Sequence, residues 1–376
     1  MTLMSADISP IYLDYNATTP LRPEAIDAIS TALGTPSNPS SVHQFGRSAR
    51  LQVETARQKV AGLIGCYSDE LTFTSGGTEA NNLVLSGFNH VIASRIEHVA
   101  ILSACPDATL INVDEQGVIC ISHLRHILSS LNPETVSDTL ISVMAANNET
   151  GVRQPLTEIV ALCKEYGVSV HSDMVQFAGK YSVNLLDIGL DFATLSAHKI
   201  GGPAGVGALW CKEGRRLPAI IRGGGQEKGM RSGTENLIGI IGFGAAAAAA
   251  DQEINKGDMS FNLAKWHQGA ETIICKACPD IIVLGQETDR LYNTSCLALP
   301  NIASQTAIMA LDIEGVMISA GSACSSGKVS ASHVIKAMGR GDLASSTIRI
   351  SSGWQTREDD LLLLSKVVID FYNRLS

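Results

Sequence analysis

The chain has 376 residues, of which 45% are apolar and 17% are charged, and its formal net charge is −9. This length exceeds what one hydrophobic core usually supports, and the composition is that of a globular chain without a disorder signature. The negative charge argues against a general nucleic-acid-binding protein. No apolar run reaches the roughly 18 residues of a membrane span, and the N-terminus lacks the basic and apolar regions of a signal peptide, so we expect a cytoplasmic protein.

Nine cysteines are scattered along the chain. An odd number of cysteines at wide spacing is typical of reduced thiols and not of a disulfide framework. Cys275 and Cys278 form a lone CxxC motif. A zinc site needs two further ligands at matching spacing, and none is near, so we expect no metal.

Strand and helix patterns alternate along the chain, which predicts an α/β fold with a mostly parallel sheet. We place a domain boundary near Lys256-Gly257-Asp258, with a large domain of residues 15–257 and a smaller α/β domain of residues 1–14 plus 258–376. The predicted elements, in chain order, are helices 23–33 and 46–64, strands 70–74, 90–94, 139–144, 168–173, 190–195 and 208–210, helices 238–254 and 262–275, strand 346–351 and helix 358–375.

A phosphate site is predicted where strand 70–74 leads through Ser75-Gly76-Gly77-Thr78 into a helix. Glycine lets the backbone approach a ligand closely, and a helix N-terminus offers unpaired N–H groups and the positive end of the helix dipole. Thr78 adds a hydroxyl donor. Many strand-to-helix turns contain glycine, so this turn gains weight only from the residues at the neighbouring strand ends.

Polar groups follow three successive strands, at Asn147-Asn148-Glu149, at Asp173 and at Lys199. Open α/β sheets bind ligands at the carboxyl ends of their strands. Burial lowers the pKa of a lysine, which makes the amine a nucleophile toward carbonyls. A lysine near an acidic residue suits pyridoxal phosphate, which needs a lysine Schiff base and an acidic partner for its ring nitrogen.

Three further residues are candidates for function. Cys324 lies in the glycine- and serine-rich stretch 319–327, unlike the usual buried and inert cysteine, which favours a reactive thiol. Arg349 lies in the middle of a strand, where it either clamps a substrate carboxylate or pairs with a structural acid. His98 either stacks on a planar cofactor and handles protons or is structural.

These segments resemble the cysteine desulfurases, pyridoxal-phosphate enzymes with the type I aminotransferase fold. The matching motifs occur in the family's order and cover nearly the whole chain. They are Leu13-Asp14-Tyr15-Asn16-Ala17-Thr18-Thr19-Pro20, Asn38-Pro39-Ser40-Ser41-Val42-His43, Thr74-Ser75-Gly76-Gly77-Thr78-Glu79, Glu97-His98, Asn147-Asn148-Glu149-Thr150-Gly151, the stretch 171–176, Ser196-Ala197-His198-Lys199, Arg231-Ser232-Gly233-Thr234 and Gly321-Ser322-Ala323-Cys324.

The resemblance implies that Lys199 binds pyridoxal phosphate covalently and moves protons on the substrate, with Cys324 and His98 as further catalytic residues. Cys324 is expected to attack the sulfur of L-cysteine, which leaves a persulfide on the enzyme and releases L-alanine. The resemblance also implies a homodimer. The implied cofactor-binding residues are Gly77, Thr78, His98, Asn148, Asp173 (ring nitrogen), Gln176 (phenolic oxygen), Ser196, His198, Lys199 and Thr234 of the partner subunit; the implied substrate-binding residues are Arg349, Asn148 and Asn38.

The spacing around Cys324 resembles the subgroup with a longer, mobile cysteine loop, which supplies iron–sulfur scaffold proteins and tRNA-thiolation pathways. We therefore expect a sulfur-acceptor protein as partner, and neither a membrane nor direct nucleic-acid contact. Two segments depart from the family: Lys328-Val329-Ser330-Ala331-Ser332 lacks a Leu-Glu-Pro, and Ser352-Gly353-Trp354-Gln355 replaces Leu-Gly-Arg-Phe. The alternatives are a selenocysteine lyase or another pyridoxal-phosphate lyase, and a non-catalytic sulfur-carrier scaffold.

Overall fold

The computed structural model describes residues 10–35, 38–321 and 331–375. Its strands are β1 (Ile11–Tyr12), β2 (Leu71–Thr74), β3 (His90–Ser94), β4 (Thr109–Ile111), β5 (Thr139–Ser142), β6 (Ser169–Asp173), β7 (Phe192–Ser196), β8 (Gly207–Cys211), β9 (Ile282–Val283), β10 (Thr294–Ala298), β11 (Val316–Met317) and β12 (Thr347–Ser351). Its helices are α1 (Pro23–Ala32), α2 (Gln44–Ile64), α3 (Gly77–Leu85), α4 (Val99–Leu102), α5 (Ile121–Ser129), α6 (Leu156–Glu165), α7 (Leu185–Ile188), α8 (Leu237–Lys256), α9 (Asp258–Ala277), α10 (Ser304–Ile313), α11 (His333–Ala337) and α12 (Glu358–Leu375).

A seven-stranded sheet in the order β2-β8-β7-β6-β5-β3-β4 confirms the predicted mostly parallel sheet. Every residue of β5 and β7 is buried, as expected for strands covered on both faces. Only β8 runs against its neighbours β2 and β7. It follows β7 through the short connection 197–206, and a return that short permits antiparallel pairing without a crossover helix.

Most predicted elements lie within two residues of the observed ones, and strand 90–94 and helix 358–375 match them. The largest difference is α9, which begins four residues before its predicted start. Gly257, with φ of 75°, lies in the left-handed region at the end of α8 and immediately precedes α9. One glycine therefore ends one helix and begins the next, where the sequence indicated a short loop.

The alanine-rich helix α8 packs closely against α2. A Cβ on Gly244 would lie 2.6 Å from the Cα of Ala56, so the two backbones approach at a point where a side chain does not fit. In the described parts of the chain, α8 alone is long and apolar enough to cross a membrane. Ala246, Ala247 and Ala250 on this helix are fully buried within the protein core.

Two large hydrophobic cores are built from different parts of the chain. One contains residues from Ala25 to Ala250 around the seven-stranded sheet. The other joins Ile11 and Leu13 to residues between 270 and 372 around the antiparallel sheet β12-β10-β9. Because Gly257 separates the helices that belong to these cores, we propose the two-domain division at residues 257 and 258.

The N-terminal segment reaches the same sheet as Arg349. Strand β1 pairs with β11, and Asp14 forms a bridge to Ser351 of β12. Ser319 forms a second bridge to Arg349. These pairings bring together Asp14, Arg349 and the segment that ends at residue 321, although Asp14 and Arg349 are 335 residues apart in sequence.

Trp354, in one of the two segments that depart from the family, packs against the N-terminal segment. The Arg22 guanidinium lies over the Trp354 ring, 4.3 Å from its centroid. The Tyr15 ring meets the same indole edge-on, with the centroids 5.4 Å apart. The departure is therefore accommodated by a cation–π contact and an aromatic pair.

We expect Glu227→Gln to lower the free energy of unfolding by about 3 kcal/mol, because it leaves the buried Arg57 with only the half-exposed Glu54 as a counter-charge. The Glu227 carboxylate accepts hydrogen bonds at 2.7 and 2.8 Å from the Arg57 guanidinium and one at 2.8 Å from the backbone N–H of Phe73. Urea denaturation measures the change. Glu165→Gln, which breaks the exposed pair with Arg125, is the control and should cost less than about 1 kcal/mol. Equal losses in the two variants would contradict the prediction.

Candidate active site

A cavity of about 360 Å³, the main cavity, lies where β5, β6 and β7 end. Residues at or just after the ends of all three strands line it. The polar groups therefore converge at these strand ends, as predicted. The predicted site residues that line this cavity are Gly77, Thr78, His98, Asn148, Asp173, Gln176, Ser196, His198, Lys199 and Arg349.

Lys199 projects into this cavity from the short turn after β7. Its Nζ donates hydrogen bonds to the carbonyl oxygens of Asn16 at 2.6 Å and Ala17 at 2.7 Å. Burial, reinforced by the positive charge of Arg349, lowers the pKa of Lys199 to about 8. At pH 7 about one Lys199 amine in ten is then neutral, whereas only a few in ten thousand ordinary lysine amines are neutral. Lys199 is therefore suited to attack a carbonyl carbon near neutral pH.

The Asp173 carboxylate, at the end of β6, is buried and held by two donors. Its Oδ1 accepts a hydrogen bond from the Val175 backbone N–H at 3.0 Å, and its Oδ2 accepts one from Asn81 Nδ2 at 2.7 Å. A carboxylate has about four acceptor positions, so capacity remains for a further N–H donor. Asn81 was not predicted; it lies one turn after Gly77 on α3, and that spacing is the signal that could have found it.

The N-terminus of α3 opens onto the cavity through Gly77 and Thr78. No side chain caps this helix, and its first i to i−4 hydrogen bond joins Ala80 to Gly76. The N–H groups before Ala80 therefore have no acceptor within the helix, which makes this end a site for an anion. A Cβ on Gly77 would lie 2.9 Å from Cγ2 of Val175, so only glycine fits here.

His198 and His98 are both neutral rings at pH 7. Burial and the positive charge of Lys199 lower the pKa of His198 to about 4, and its Nδ1 shares a hydrogen bond with Thr18. Desolvation, with Asp173 opposing it, lowers the pKa of His98. Since Nδ1 of His98 accepts a hydrogen bond from the Ala100 backbone N–H, the proton of the neutral ring is on Nε2.

Arg349 reaches the cavity from β12 and is fixed by two contacts. Its Nη2 lies 2.6 Å from Asp14 Oδ1, and its Nη1 donates a hydrogen bond to the Asn148 carbonyl at 3.1 Å. The sequence left open whether Arg349 binds a substrate or pairs with a structural acid. The structure shows the acid, Asp14, which was not predicted, and leaves the guanidinium facing the cavity as well.

Glu149 lies beside Gly321 and Ser332, which flank the stretch 322–330; this stretch contains Cys324 and lies outside the described residues. Its Oε2 accepts a hydrogen bond from the Ser332 hydroxyl at 2.6 Å. The same oxygen would lie 2.6 Å from a Cβ on Gly321, which itself lines the cavity. Burial raises the pKa of this carboxyl. Gly321, just before this stretch, therefore lies at the wall of the cavity, and Ser332, just after it, is held by Glu149.

Two predicted residues do not line this cavity within the single chain. Asn38 accepts a hydrogen bond from the Ser40 backbone N–H at 2.9 Å, within its own turn. Thr234 lines a separate cavity of about 120 Å³ together with Ser75 and Arg231. The roles of Asn38 in substrate binding and of Thr234 in the site of a partner subunit stay predictions.

Three polar atoms on residues that line the main cavity are buried and have no hydrogen-bond partner among the residues that the structure describes. They are Oδ1 of Asn16, Oδ1 of Asn81 and Nε of Arg349. Buried polar groups without partners are uncommon in native proteins. All three belong to side chains at the wall of the cavity, where packing leaves hydrogen-bonding capacity unused.

The chain is similar to known proteins over almost its whole length. The family profile described as Aminotransferase class-V matches residues 11–364. The cysteine desulfurase IscS of Dictyoglomus turgidum is 39% identical over 93% of this chain and 91% of its own length. The chain belongs to the cysteine desulfurase family. The human cysteine desulfurase is 34% identical over 98% of this chain and 83% of its own length.

Solved structures from the same family share the fold. The NifS-like protein from Rickettsia africae superimposes with a TM-score of 0.90 at 36% identity, covering 97% of this chain and 99% of that one. The central sheet and the residues around its cavity thus belong to the aminotransferase fold that was expected. As a member of the cysteine desulfurases, the protein is an enzyme.

Proposed function

We propose that the protein is a pyridoxal-phosphate-dependent enzyme that converts L-cysteine to L-alanine and transfers the sulfur to Cys324. The observation that carries the proposal is the cavity in which the nucleophilic amine of Lys199 and the buried carboxylate of Asp173 meet. Relatives named cysteine desulfurase, similar over nearly the whole chain, support the choice of substrate.

The residues around the cavity fit pyridoxal phosphate. The uncapped N-terminus of α3, with Thr78, Ser196 and His198, provides N–H and hydroxyl donors for a phosphate. Asp173 has acceptor capacity for a protonated ring nitrogen, and the neutral His98 ring lines the cavity for stacking. When bound, the cofactor withdraws electrons from the substrate carbon atoms.

The protein's own groups then divide the remaining work. Arg349 and Asn148 hold the substrate carboxylate, and the Lys199 amine takes the proton from the α-carbon and returns protons to the carbon skeleton. The Cys324 thiolate attacks the substrate sulfur; the C–S bond breaks as the S–S bond of the persulfide forms, and the electron pair remains with the carbon skeleton. Protonation of that skeleton yields alanine, and a reductant or an acceptor protein removes the persulfide sulfur.

We infer a homodimer from exposed apolar residues and a cytoplasmic location from the state of the cysteines. The exposed apolar residues Val42, Phe45 and Leu51 before and along α2 support a homodimer in which Thr234 completes the site of the partner. All eight cysteines in the described parts of the chain are free thiols, which supports a cytoplasmic enzyme. The sulfur acceptor that we propose is an iron–sulfur scaffold or a tRNA-thiolation protein.

The reconstituted enzyme tests the proposal when L-cysteine and a thiol reductant are added. We expect alanine and sulfide in equal amounts, with the yellow colour of the bound cofactor. Turnover of selenocysteine with none of cysteine would favour the selenocysteine lyase, and failure to bind the cofactor would favour the non-catalytic scaffold. Either result would contradict the proposal.

We expect Arg349→Lys to raise KM for cysteine by about ten- to a hundredfold, because lysine lacks the planar two-donor fork that grips a carboxylate. Steady-state alanine formation measures KM. The matched control is Arg290→Lys, since Arg290 pairs with an acid, Glu271, as Arg349 pairs with Asp14, but does not line the cavity. An unchanged KM in Arg349→Lys, or the same rise in Arg290→Lys, would refute the proposed role of Arg349.

A further inference from the structure

Lys180 is a buried lysine that forms no ion pair with any acid in the described parts of the chain. It lies in the turn that follows β6, four residues after Gln176. Its Nζ lies 2.8 Å from the Gln176 backbone carbonyl and 3.2 Å from the Gln176 side-chain oxygen Oε1. The charged side chains that act on its pKa, Lys199 and Arg349, are both cations. Burying an amine beside two cations is unfavourable for folding, so the two hydrogen bonds that Lys180 donates to Gln176 need a functional explanation.

These contacts determine which way the Gln176 amide points. A lysine ammonium has only donors, so the side-chain atom of Gln176 that faces it is the acceptor Oε1. The Nε2 group is then turned to the opposite side, where it donates a hydrogen bond to the Asn16 carbonyl at 2.9 Å. The same carbonyl accepts a hydrogen bond from Lys199, and Asn16, Gln176 and Lys199 all line the main cavity.

We propose that Lys180 is a positioning residue that holds the Gln176 side chain with its N–H₂ group, and not its oxygen, toward the cofactor. The proposal rests on the proposed function, in which Gln176 donates to the phenolic oxygen of pyridoxal phosphate. Without Lys180, only the hydrogen bond to the Asn16 carbonyl orients the amide, so a larger share of the Gln176 side chains turns over and brings Oε1 against the phenolic oxygen. Burial and the two cations lower the pKa of Lys180 to about 7, yet the amine keeps at least two N–H donors in either protonation state.

A pH titration of the visible absorption band of the reconstituted enzyme tests this role. A donor on the phenolic oxygen, and a positive charge nearby, both favour loss of the proton from the nitrogen that links Lys199 to the cofactor. Lys180→Met keeps an unbranched side chain that is one atom shorter and removes the donors, so the midpoint of the titration should rise by about one pH unit, the size expected for one lost hydrogen bond. Lys180→Arg keeps donors, so its midpoint should stay within about 0.3 unit of the original.

A Gln176→Leu background separates positioning from a direct effect of the charge. If Lys180 acts through Gln176, adding Lys180→Met there should move the midpoint by less than half of the shift seen with Gln176 present. An unchanged midpoint in Lys180→Met, or equal shifts in the two backgrounds, would overturn the proposal. If Lys180→Met does not fold, Lys180→Ala is titrated under the same two criteria.

The titration also keeps the two proposals distinguishable. The band of the unaltered protein reports cofactor binding by itself, and its absence would refute the proposed function. A normal band in the unaltered protein with no effect of Lys180 would refute only the positioning role.

Discussion

Lys199→Ala is expected to lose the visible band of the bound cofactor and to lower alanine formation from cysteine by at least about a thousandfold, because no other group supplies the covalent amine. Lys199 is the lysine whose Nζ is held at the floor of the main cavity by the Asn16 and Ala17 carbonyls. Its pKa of about 8 makes it reactive near neutral pH. Absorption spectroscopy and a coupled alanine assay measure the two losses.

Lys199→Arg is the matched control for charge. Arginine keeps a cation near the same carbonyls, but its guanidinium stays protonated and does not form a Schiff base. We therefore expect Lys199→Arg to be as inactive as Lys199→Ala. Its free energy of unfolding should be closer to that of the unaltered protein. Substantial turnover in either variant would show that another residue binds the cofactor.

Cys324→Ser is expected to lower the rate of sulfide release by at least about a thousandfold and to form no persulfide. The visible band of the bound cofactor should remain. The persulfide is measured by mass spectrometry of the cysteine-treated enzyme before the reductant is added. Residue 324 lies outside the described residues, and the prediction rests on its sequence context and on Gly321, which lines the cavity three residues before it.

Cys275→Ser is the control for a general effect of thiol removal. Cys275 lies on α9 and packs, partly buried, against the core that contains Ile274 and Phe371; this burial raises the pKa of its thiol, which makes it a poor nucleophile. It should retain full activity. Sulfur found on Cys275 or Cys278 and not on residue 324 would show that the nucleophile is wrongly assigned.

The sequence predicted the parts of the site that end an apolar run. Asp173 is the last residue of β6 and Lys199 lies three residues after β7, and a polar residue at the end of an apolar run is visible without a structure. The parallel order of β5, β6 and β7 then brings these strand ends to one cavity, as the alternation of strands and helices indicated.

The residues that support the site were missed because their partners are distant in sequence. Asn81 bonds to Asp173 across 92 residues, and Asp14 pairs with Arg349 across 335. Both contacts are set by the fold: the first depends on how α3 packs against β6, and the second on how the N-terminal segment lies beside β12. Lys180 was missed for another reason: it is only four residues from Gln176, but its burial is a property of the fold and not of its neighbours in sequence.

Reduction of the reconstituted enzyme with sodium borohydride, followed by peptide mapping, tests most directly whether the main cavity binds the cofactor through one amine. Borohydride makes the link between the cofactor and its lysine permanent, so the modified residue is identified by mass. We expect the added pyridoxyl group on Lys199 in nearly every chain. A label on Lys180 or on any other lysine, or no label despite a yellow protein, would contradict the proposed site.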